Sequence, residues 1–414
     1  MQKKVLIINI QSSQANTGTG ITMRSIFNHG YVTAKELYFI DYKKDVKNTI
    51  NYSSEQITSF SRPINFIVKK LGFSSSLKSD ISAQKRNSTK KIRIFITGFL
   101  KAFIDNSCVI LKRKEKKLIT KFKPEYVYTM GSTIFCLRYA NKVSRKYRIP
   151  LVIHYMDNWR TTLYSHKGLH FYNKILNNEI KKAQKYGVKH ICVSQEMSND
   201  YSALYNYKYE TLMNVPEDMF HITAEDKDTK KSKNIVYIGG LHLKRDASFI
   251  SFVNCINNNE KYKNLCNIII YTDVKSMQLI EKFKKLKNIK IFEYVPHDQI
   301  QNIYASADIL LHIESFDKEI REYIKYSIST KISEYLCAQK PILLFAPSDI
   351  AVYKYIYENN CGYVAENTYQ ILLNLNKIFY GEKDTEQKAK NAYNVYIKNH
   401  TEKSIYDIFS KIFV

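Results

Sequence analysis

The sequence contains few of the features that mark disulfide-linked, zinc-binding or membrane-spanning proteins. Its seven cysteines are odd in number and scattered, and no two of them form a Cys-x-x-Cys pair. This pattern argues against a disulfide framework or a zinc site and favours a reducing compartment. No apolar run is long enough to span a bilayer, and the apolar segment that follows Met1 is too short for a signal peptide. We therefore expect a cytoplasmic protein.

Acidic residues are scarce relative to basic ones. The chain has 38 Asp and Glu against 64 Lys and Arg, which gives a formal net charge of +26. A charge of this size predicts an anionic partner, which is a nucleic acid, a membrane surface or a phosphorylated substrate. Because the chain carries no nucleic-acid-binding motif, a nucleic acid is the least favoured of the three.

The length of the chain and the order of its predicted elements indicate two domains. A chain of 414 residues exceeds one ordinary hydrophobic core. Buried-strand patterns alternate with helical patterns along most of it, which predicts an α/β protein. We place the first domain at residues 1–216, a polar linker at 217–233 and the second domain at 234–397.

The segment between two predicted strands of the second domain carries a possible anion site. Strands are predicted over 307–313 and 341–347, with a polar loop and a short helix between them. Ser329 or Thr330 can cap the start of that helix, and Lys331 and Glu334 follow on neighbouring faces. A helix N-terminus at the end of a strand attracts phosphate, which Lys331 can neutralise, while Glu334 can accept hydrogen bonds from two adjacent sugar hydroxyls. An amphipathic helix with a solvated Lys–Glu face is the alternative.

A second phosphate contact is predicted where the first strand of this domain ends. Gly239 and Gly240 follow the strand and permit close approach of a pyrophosphate to the backbone. Lys244 or Arg245 can neutralise the phosphate, and a guanidinium can do so with two parallel hydrogen bonds. A glycine pair after a strand is a weak signal when it stands alone.

The run Ser329-Thr-Lys-Ile-x-Glu-Tyr-Leu-x-x-x-Lys-Pro-Ile342 resembles the donor-binding segment of retaining GT-B glycosyltransferases of family 4. The resemblance implies two Rossmann-like, doubly wound domains that face each other across a cleft. It implies transfer of a sugar from a nucleotide-diphosphate donor with retention, without a metal or a cofactor, and with Glu334 on the ribose. It also implies that a helix over residues 398–414 packs back on the first domain.

Two positions depart from the pattern of that family. Gly240 stands where the family usually has an arginine, so Arg245 takes a larger share of the phosphate contact. Tyr326 stands where a glutamate usually touches the donor sugar. Glu314 and Ser327 are candidates for the missing group, and the sequence does not decide between them.

Candidate residues of the first domain follow two of its predicted strands. Gly18, Thr19 and Gly20 lie in a polar loop after the first strand, and the resemblance places such a loop at the acceptor side. His154 and Asp157 lie at the carboxyl end of a later strand, where ligands of open α/β sheets bind. A strand histidine satisfied by its neighbours is the ordinary interpretation of His154. The resemblance instead implies a catalytic position beside the donor sugar, with Asp157 on the acceptor side.

Residues 85–123 combine a dense basic content with interleaved Phe, Ile and Leu side chains. This composition is typical of a helix in an anionic membrane interface, and equally of a core helix with a solvated basic face. The resemblance favours a lipid-linked or glycan acceptor at the inner face of a bacterial membrane, in the synthesis of capsule, lipopolysaccharide or another surface glycan. The alternatives are a non-enzymatic basic binding protein and a GT-B nucleotide-sugar epimerase. Neither the nucleotide nor the sugar can be read from the sequence.

Overall fold

The computed structural model describes residues 2–15, 18–40, 52–56, 98–165, 168–185, 189–216, 232–273, 288–296 and 299–414. The chain divides into two compact units. Unit 1 comprises Met1–Glu217 together with Glu402–Val414, and unit 2 comprises Asp218–Thr401. Residues 217–231 of the predicted linker and 85–97 of the basic segment, with Phe95, lie outside the described residues.

Unit 1 contains a parallel sheet of seven strands in the order β3-β2-β1-β4-β5-β6-β7. The strands are β1 Lys3–Gln11, β2 Val32–Ile40, β3 Tyr52–Gln56, β4 Tyr126–Thr129, β5 Leu151–Tyr155, β6 Lys189–Cys192 and β7 Tyr209–Thr211. The helices are α1 Gly18–Phe27, α2 over residues 98–105, α3 Arg113–Phe122, α4 Ile134–Tyr147, α5 Trp159–Thr162, α6 His170–Gln184 and α7 Gln195–Tyr205. Val5 to Ile8 of β1 are fully buried, as expected of a parallel strand covered on both faces.

Unit 2 contains a parallel sheet of six strands in the order β10-β9-β8-β11-β12-β13. The strands are β8 Lys233–Ile238, β9 Cys266–Tyr271, β10 Ile289–Phe292, β11 Ile309–Ile313, β12 Ile342–Phe345 and β13 Tyr363–Ala365. The helices are α8 Arg245–Asn257, α9 Ile300–Ser306, α10 Lys318–Ile324, α11 Thr330–Cys337, α12 Ala351–Glu358, α13 Thr368–Tyr380 and α14 Glu382–Asn399. In both parallel sheets the order of the strands reverses next to the first strand of the unit, which confirms the predicted α/β fold with two doubly wound units.

The final helix of the chain, α15 Glu402–Ile412, belongs to unit 1. Its Phe409 is almost fully buried, and its ring lies 5.5 Å from that of Phe27. The ring of Phe27 in turn lies 4.9 Å from that of Tyr128 in β4. At the end of the chain, the hydroxyl of Tyr126 donates to the carbonyl of Val414 at 2.6 Å. The C-terminal helix therefore completes the core of the N-terminal unit.

The basic segment contains two helices of different character. In α3, Leu118, Ile119 and Phe122 are buried and the lysines face solvent, so this helix is a core helix with a solvated basic face. In α2, Ala102 is buried while Phe99 and Phe103 are 44% and 64% exposed. Among the described residues, no helix combines the length and the apolar character needed to cross a membrane.

Replacing Phe409 by Ala should lower the free energy of unfolding of unit 1 by about 3–5 kcal/mol, because a buried ring is lost and a cavity remains. Urea unfolding of the full chain measures the change. Tyr406→Ala is the matched control, since Tyr406 lies on the same helix with its side chain 54% exposed. Its cost should stay near 1 kcal/mol or less. Equal losses in the two variants would contradict the packing described for α15.

Candidate functional site

The sheet of unit 2 brings two distant parts of the chain together where its strand order reverses. β8 pairs with β11 through Ile235 with Ile309 and Val236 with Leu310. The residues that follow the two strands, Gly239 and Glu314, therefore emerge at the same edge of the sheet. Ligands of doubly wound folds bind in the crevice at this point, outside the carboxyl ends of the strands.

The turn after β8 is tightly packed and partly strained. A methyl group added at Gly239 would lie 3.3 Å from Cε of Lys331, so glycine allows the Lys331 side chain to lie against the turn. Leu243 and Lys244 both adopt left-handed backbone angles, with φ of 59° and 56°. Such a conformation costs about 1–3 kcal/mol for a residue with a side chain, so the surroundings must hold it.

Two ion pairs hold this turn to the segment that follows β11. Nε and Nη2 of Arg245 donate to the two carboxylate oxygens of Glu314 at 2.8 and 2.7 Å. Nζ of Lys244 lies 2.5 Å from Oδ2 of Asp317. Because the Arg245 pair is bidentate and largely buried, it fixes the orientation of the guanidinium. Glu314 therefore accepts from the edge of the Arg245 guanidinium that carries Nε and Nη2.

His312 completes a buried cluster around the carboxylate of Glu314. Its Nε2 lies 3.0 Å from Oε1 of Glu314, and burial lowers the pKa of His312. Burial also opposes the charge of Glu314, but Arg245 and the hydrogen bond from His312 outweigh it and lower the pKa of Glu314 to about 2. At neutral pH the cluster therefore contains one cation, one anion and a neutral imidazole, with no net charge.

The segment from Glu314 to Tyr326 is not the long loop that the sequence predicts. Helix α10 occupies its centre, because the carboxylate of Asp317 accepts from the backbone N–H groups of Glu319 and Ile320 and caps the helix. Tyr326 is buried, and Nζ of Lys325 lies 4.8 Å from the centre of its ring. Of the two candidates for the missing carboxylate, Glu314 is the one at the strand end.

The helix that the sequence predicts as an anion site is present as α11. Thr330 and Lys331 lie in its first turn. Ser329 occupies the N-cap position but makes no capping hydrogen bond with its side chain, so the predicted side-chain cap is absent at that residue. Thr330 and Lys331 open the helix, and Lys331 lies beside Gly239. Glu334 lies one turn further on, where it accepts a hydrogen bond from the hydroxyl of Tyr304 at 2.5 Å.

The candidate residues of unit 1 surround the ends of β1 and β5. Gly18, Thr19 and Gly20 form the first turn of α1, which corrects the predicted loop. A side chain at Gly20 would overlap the carbonyl of Ala15, so this turn requires glycine. Thr19 is half-buried, and Asp157 is half-exposed after β5.

His154 is fully buried at the end of β5. Its Nδ1 lies 2.7 Å from the hydroxyl of Tyr128, the residue that packs on Phe27 beneath α15. Burial lowers the pKa of His154 to about 3, so the imidazole is neutral at physiological pH. A neutral imidazole can position a hydroxyl group but cannot provide a positive charge.

Sequence reasoning missed three residues of the unit 2 site: His312, Tyr304 and Asp317. His312 gives a signal, because a polar residue within the apolar strand β11 shares a face with Glu314 two positions later. Tyr304 gives no local signal, since its contact with Glu334 spans 30 residues of sequence. In the part of the chain that the structure describes, no group of three or more His, Cys, Asp or Glu could hold a metal ion.

No protein-family model and no curated protein matches the sequence. Solved structures match the fold over nearly the whole chain. The Anabaena protein HepE, in complex with UDP-glucose, is 13% identical at a TM-score of 0.62, over 99% of this chain and 98% of that one. WaaG, a glycosyltransferase involved in lipopolysaccharide biosynthesis, is 12% identical at a TM-score of 0.57, over 99% of each chain. The Candida albicans trehalose-6-phosphate phosphatase N-terminal domain is 9% identical at a TM-score of 0.68, over 100% of this chain and 97% of that one.

These likenesses concern the fold. They confirm the predicted GT-B type, in which each of two units is a Rossmann-like α/β sheet with helices on both faces. The sequence identities are too low to carry a function from those proteins to this one.

Replacing Glu314 by Gln should lower the free energy of unfolding of unit 2 by about 3–5 kcal/mol, because Arg245 keeps a buried charge without its partner. Urea unfolding at pH 7 measures the change. Asp349→Asn is the matched control, since the pair of Asp349 with Arg321 at 2.6 Å is well exposed. Breaking an exposed pair should cost about 1 kcal/mol or less.

The pH dependence of the same variant gives a second readout. The pKa of Glu314 is about 2 in the folded state, below the ordinary value of 4.5. The stabilisation from its charge is therefore complete above pH 4.5 and is lost as the pH falls toward 2. The wild-type protein should lose stability more steeply over this interval than Glu314→Gln. Parallel pH profiles would contradict the buried ion pair.

Proposed function

We propose that the protein is a glycosyltransferase that moves a sugar from a nucleotide-diphosphate donor to a glycan or lipid-linked acceptor, with retention of configuration. The observation that carries the proposal is the arrangement of Gly239, Lys331 and Glu334 at the strand-order reversal of unit 2. A close backbone turn, a cation and a carboxylate one helical turn away fit a pyrophosphate followed by a ribose. The complex of HepE with UDP-glucose supports a nucleotide sugar as the ligand class.

The diphosphate is assigned to Gly239, Gly240, Arg245 and the first turn of α11, with Ser329, Thr330 and Lys331. The backbone N–H groups at a helix start and the helix dipole both favour an anion there. The Arg245–Glu314 pair carries no net charge, and Lys331 adds a further cation at the position proposed for the diphosphate. Arg245 has five N–H donors and gives two of its nitrogens to Glu314, which leaves capacity for a phosphate oxygen.

Catalysis in this proposal consists of stabilising the leaving group. Negative charge develops on the diphosphate as the glycosidic bond breaks, and preorganised donors lower the barrier where that charge appears. Lys331, Arg245 and the start of α11 perform this task without a metal or another cofactor. The acceptor oxygen bonds to the anomeric carbon on the face from which the phosphate departs, and its proton passes to that phosphate. This route gives retention without a covalent intermediate. His154 positions the donor sugar, and Asp157 with Gly18, Thr19 and Gly20 serves the acceptor side.

A thermal-shift screen with UDP, GDP, ADP and CMP tests the ligand class, since a ligand that binds only the folded state raises the melting temperature. Glu334→Gln should weaken binding of the active nucleotide by about 1.5–3 kcal/mol, because a hydrogen bond to a charged acceptor is lost. Glu358→Gln, a change at an exposed position of α12, is the control and should have no effect. If Glu334→Gln binds the nucleotide with unchanged affinity, the proposed contact between Glu334 and the ribose is wrong.

Lys331→Ala distinguishes the contribution of the phosphates to binding from that of the nucleoside. The variant should lower the affinity for the nucleoside diphosphate strongly and the affinity for the nucleoside little, because only the former carries the charge that Lys331 meets. Calorimetric titration with both ligands measures the two losses. Equal losses would mean that Lys331 acts through the structure of α11.

The protein is further proposed to work at an anionic membrane surface. Helix α2 exposes Phe99, Leu100 and Phe103. Five basic residues at the N-terminal end of α3 are exposed, namely Lys112, Arg113, Lys114, Lys116 and Lys117. An anionic bilayer attracts each such residue by about 1 kcal/mol, and exposed aromatic rings add a part that salt does not screen. The acceptor is then a lipid-linked glycan at the inner face of the membrane.

Changing those five basic residues to Gln should release the protein from anionic vesicles and leave nucleotide binding in solution intact. Cosedimentation with anionic and neutral vesicles measures the effect. The matched control changes five exposed lysines elsewhere to Gln, namely Lys383, Lys390, Lys398, Lys403 and Lys411. If both variants lose binding equally, net charge alone is responsible. Tight binding of RNA or DNA with no vesicle binding would favour a nucleic-acid partner instead.

A further inference from the structure

Glu334 has a buried hydrogen-bond partner of its own. The hydroxyl of Tyr304 donates to Oε2 of Glu334 at 2.5 Å. Tyr304 lies on α9, the helix before β11, and Glu334 lies on α11, the second helix after it. The Tyr304 side chain is fully buried, whereas Glu334 is partly exposed. The phenol therefore contacts the carboxylate from the protein interior.

The position of Tyr304 is fixed by a second tyrosine. Its ring lies 5.4 Å from the ring of Tyr335, at an interplanar angle of 85°. The ring of Tyr335 is fully buried, and this packing holds it in place whether or not its hydroxyl donates to the carbonyl of Leu311. An edge-to-face pair in a close-packed core leaves little freedom for either ring. Tyr304 thus presents its hydroxyl at a fixed point of the unit 2 sheet.

The direction of the hydrogen bond follows from the two groups. Burial and the nearby carboxylate of Glu334 raise the pKa of Tyr304 well above its ordinary value, so the phenol keeps its proton. An ionised carboxylate can only accept, so the phenol is the donor. A hydrogen bond from a neutral hydroxyl to a carboxylate is stronger than one between two neutral groups.

A glutamate on a helix surface has three side-chain torsions, which a ligand must otherwise order at a cost in entropy. The bond from Tyr304 sets the position of one oxygen before any ligand arrives. A carboxylate has about four lone-pair positions, so a bond to Oε2 is compatible with acceptance of two further hydroxyl groups. Preorganisation of this kind raises affinity without a new contact to the ligand.

We propose that Tyr304 is the positioning residue for Glu334 and that it sets the preference of the site for a ribose over a deoxyribose, an inference that rests on the nucleotide-sugar function proposed above. Tyr304 itself does not touch the sugar. Without the hydroxyl of Tyr304, Glu334 loses the hydrogen bond that sets the position of its Oε2. The ribose then loses more affinity than a sugar that lacks one of the two hydroxyls.

The test compares UDP, GDP and ADP with their 2′-deoxy forms on the full chain by calorimetric titration. In Tyr304→Phe, the affinity for the ribonucleoside diphosphate should fall by roughly three- to tenfold, the effect of one hydrogen bond. The ratio of ribo to deoxy affinity should fall with it. A purely structural role for Tyr304 would lower the melting temperature and leave that ratio unchanged.

Tyr335→Phe is the matched control. It removes one buried hydroxyl from the neighbouring ring, and this hydroxyl bonds to the Leu311 carbonyl. The variant should lose stability and keep the ribo-to-deoxy ratio of the wild-type protein. An equal fall of the ratio in Tyr335→Phe and Tyr304→Phe would overturn the positioning role.

A double-mutant cycle with Glu334→Gln provides a second readout. If Tyr304 acts through Glu334, the loss caused by Glu334→Gln should be smaller in the Tyr304→Phe background than in the wild-type protein. Additive losses would overturn the inference and leave the proposed function in place. If none of the six ligands binds the wild-type protein, the proposed function fails and the inference fails with it.

Discussion

The buried ion pair between Arg245 and Glu314 determines the geometry of the unit 2 site. It connects the turn after β8 with the segment after β11, two regions that are 69 residues apart in sequence. Together with the pair of Lys244 and Asp317, it holds a turn whose backbone would not otherwise keep two left-handed residues. Because the pair is neutral overall, it creates order at the strand ends without attracting an anion by net charge. In the proposed function, Lys331 and the start of α11 attract the diphosphate.

Unit 1 depends on a comparable chain of contacts that involves its last helix. Phe409 of α15 packs on Phe27 of α1, which packs on Tyr128, whose hydroxyl meets His154. The helix from the end of the chain therefore supports His154 indirectly, the residue proposed to position the donor sugar. A substitution in α15 can alter the surroundings of His154 without direct contact with it.

The sequence allowed prediction of those elements that depend on local pattern. Apolar runs such as Ile309–Ile313 predict buried strands, and the pattern of the segment that contains Lys331 and Glu334 predicts the helix α11. Contacts between distant residues could not be predicted in this way. The partner of Arg245 and the partner of Glu334 depend on tertiary packing, and the place of α15 in unit 1 was implied only by the family resemblance.

Two errors of prediction have a local cause. The charged segment after Glu314 was predicted as a loop because its acidic and basic residues resemble a solvated connection, yet Asp317 caps a helix within it. The first turn of α1 was predicted as a loop because of its glycines, although the close approach of Ala15 requires a glycine there. In the basic segment, composition alone could not separate the core helix α3 from the exposed aromatic face of α2.

A crystal structure of the protein with the nucleoside diphosphate that most raises its melting temperature would locate the nucleotide directly. We expect the diphosphate within hydrogen-bond distance of the backbone at Gly239 and Gly240 and of Nζ of Lys331. We also expect the ribose hydroxyls on the carboxylate of Glu334. A nucleotide bound elsewhere in unit 2, or one whose ribose does not contact Glu334, would contradict the proposed site.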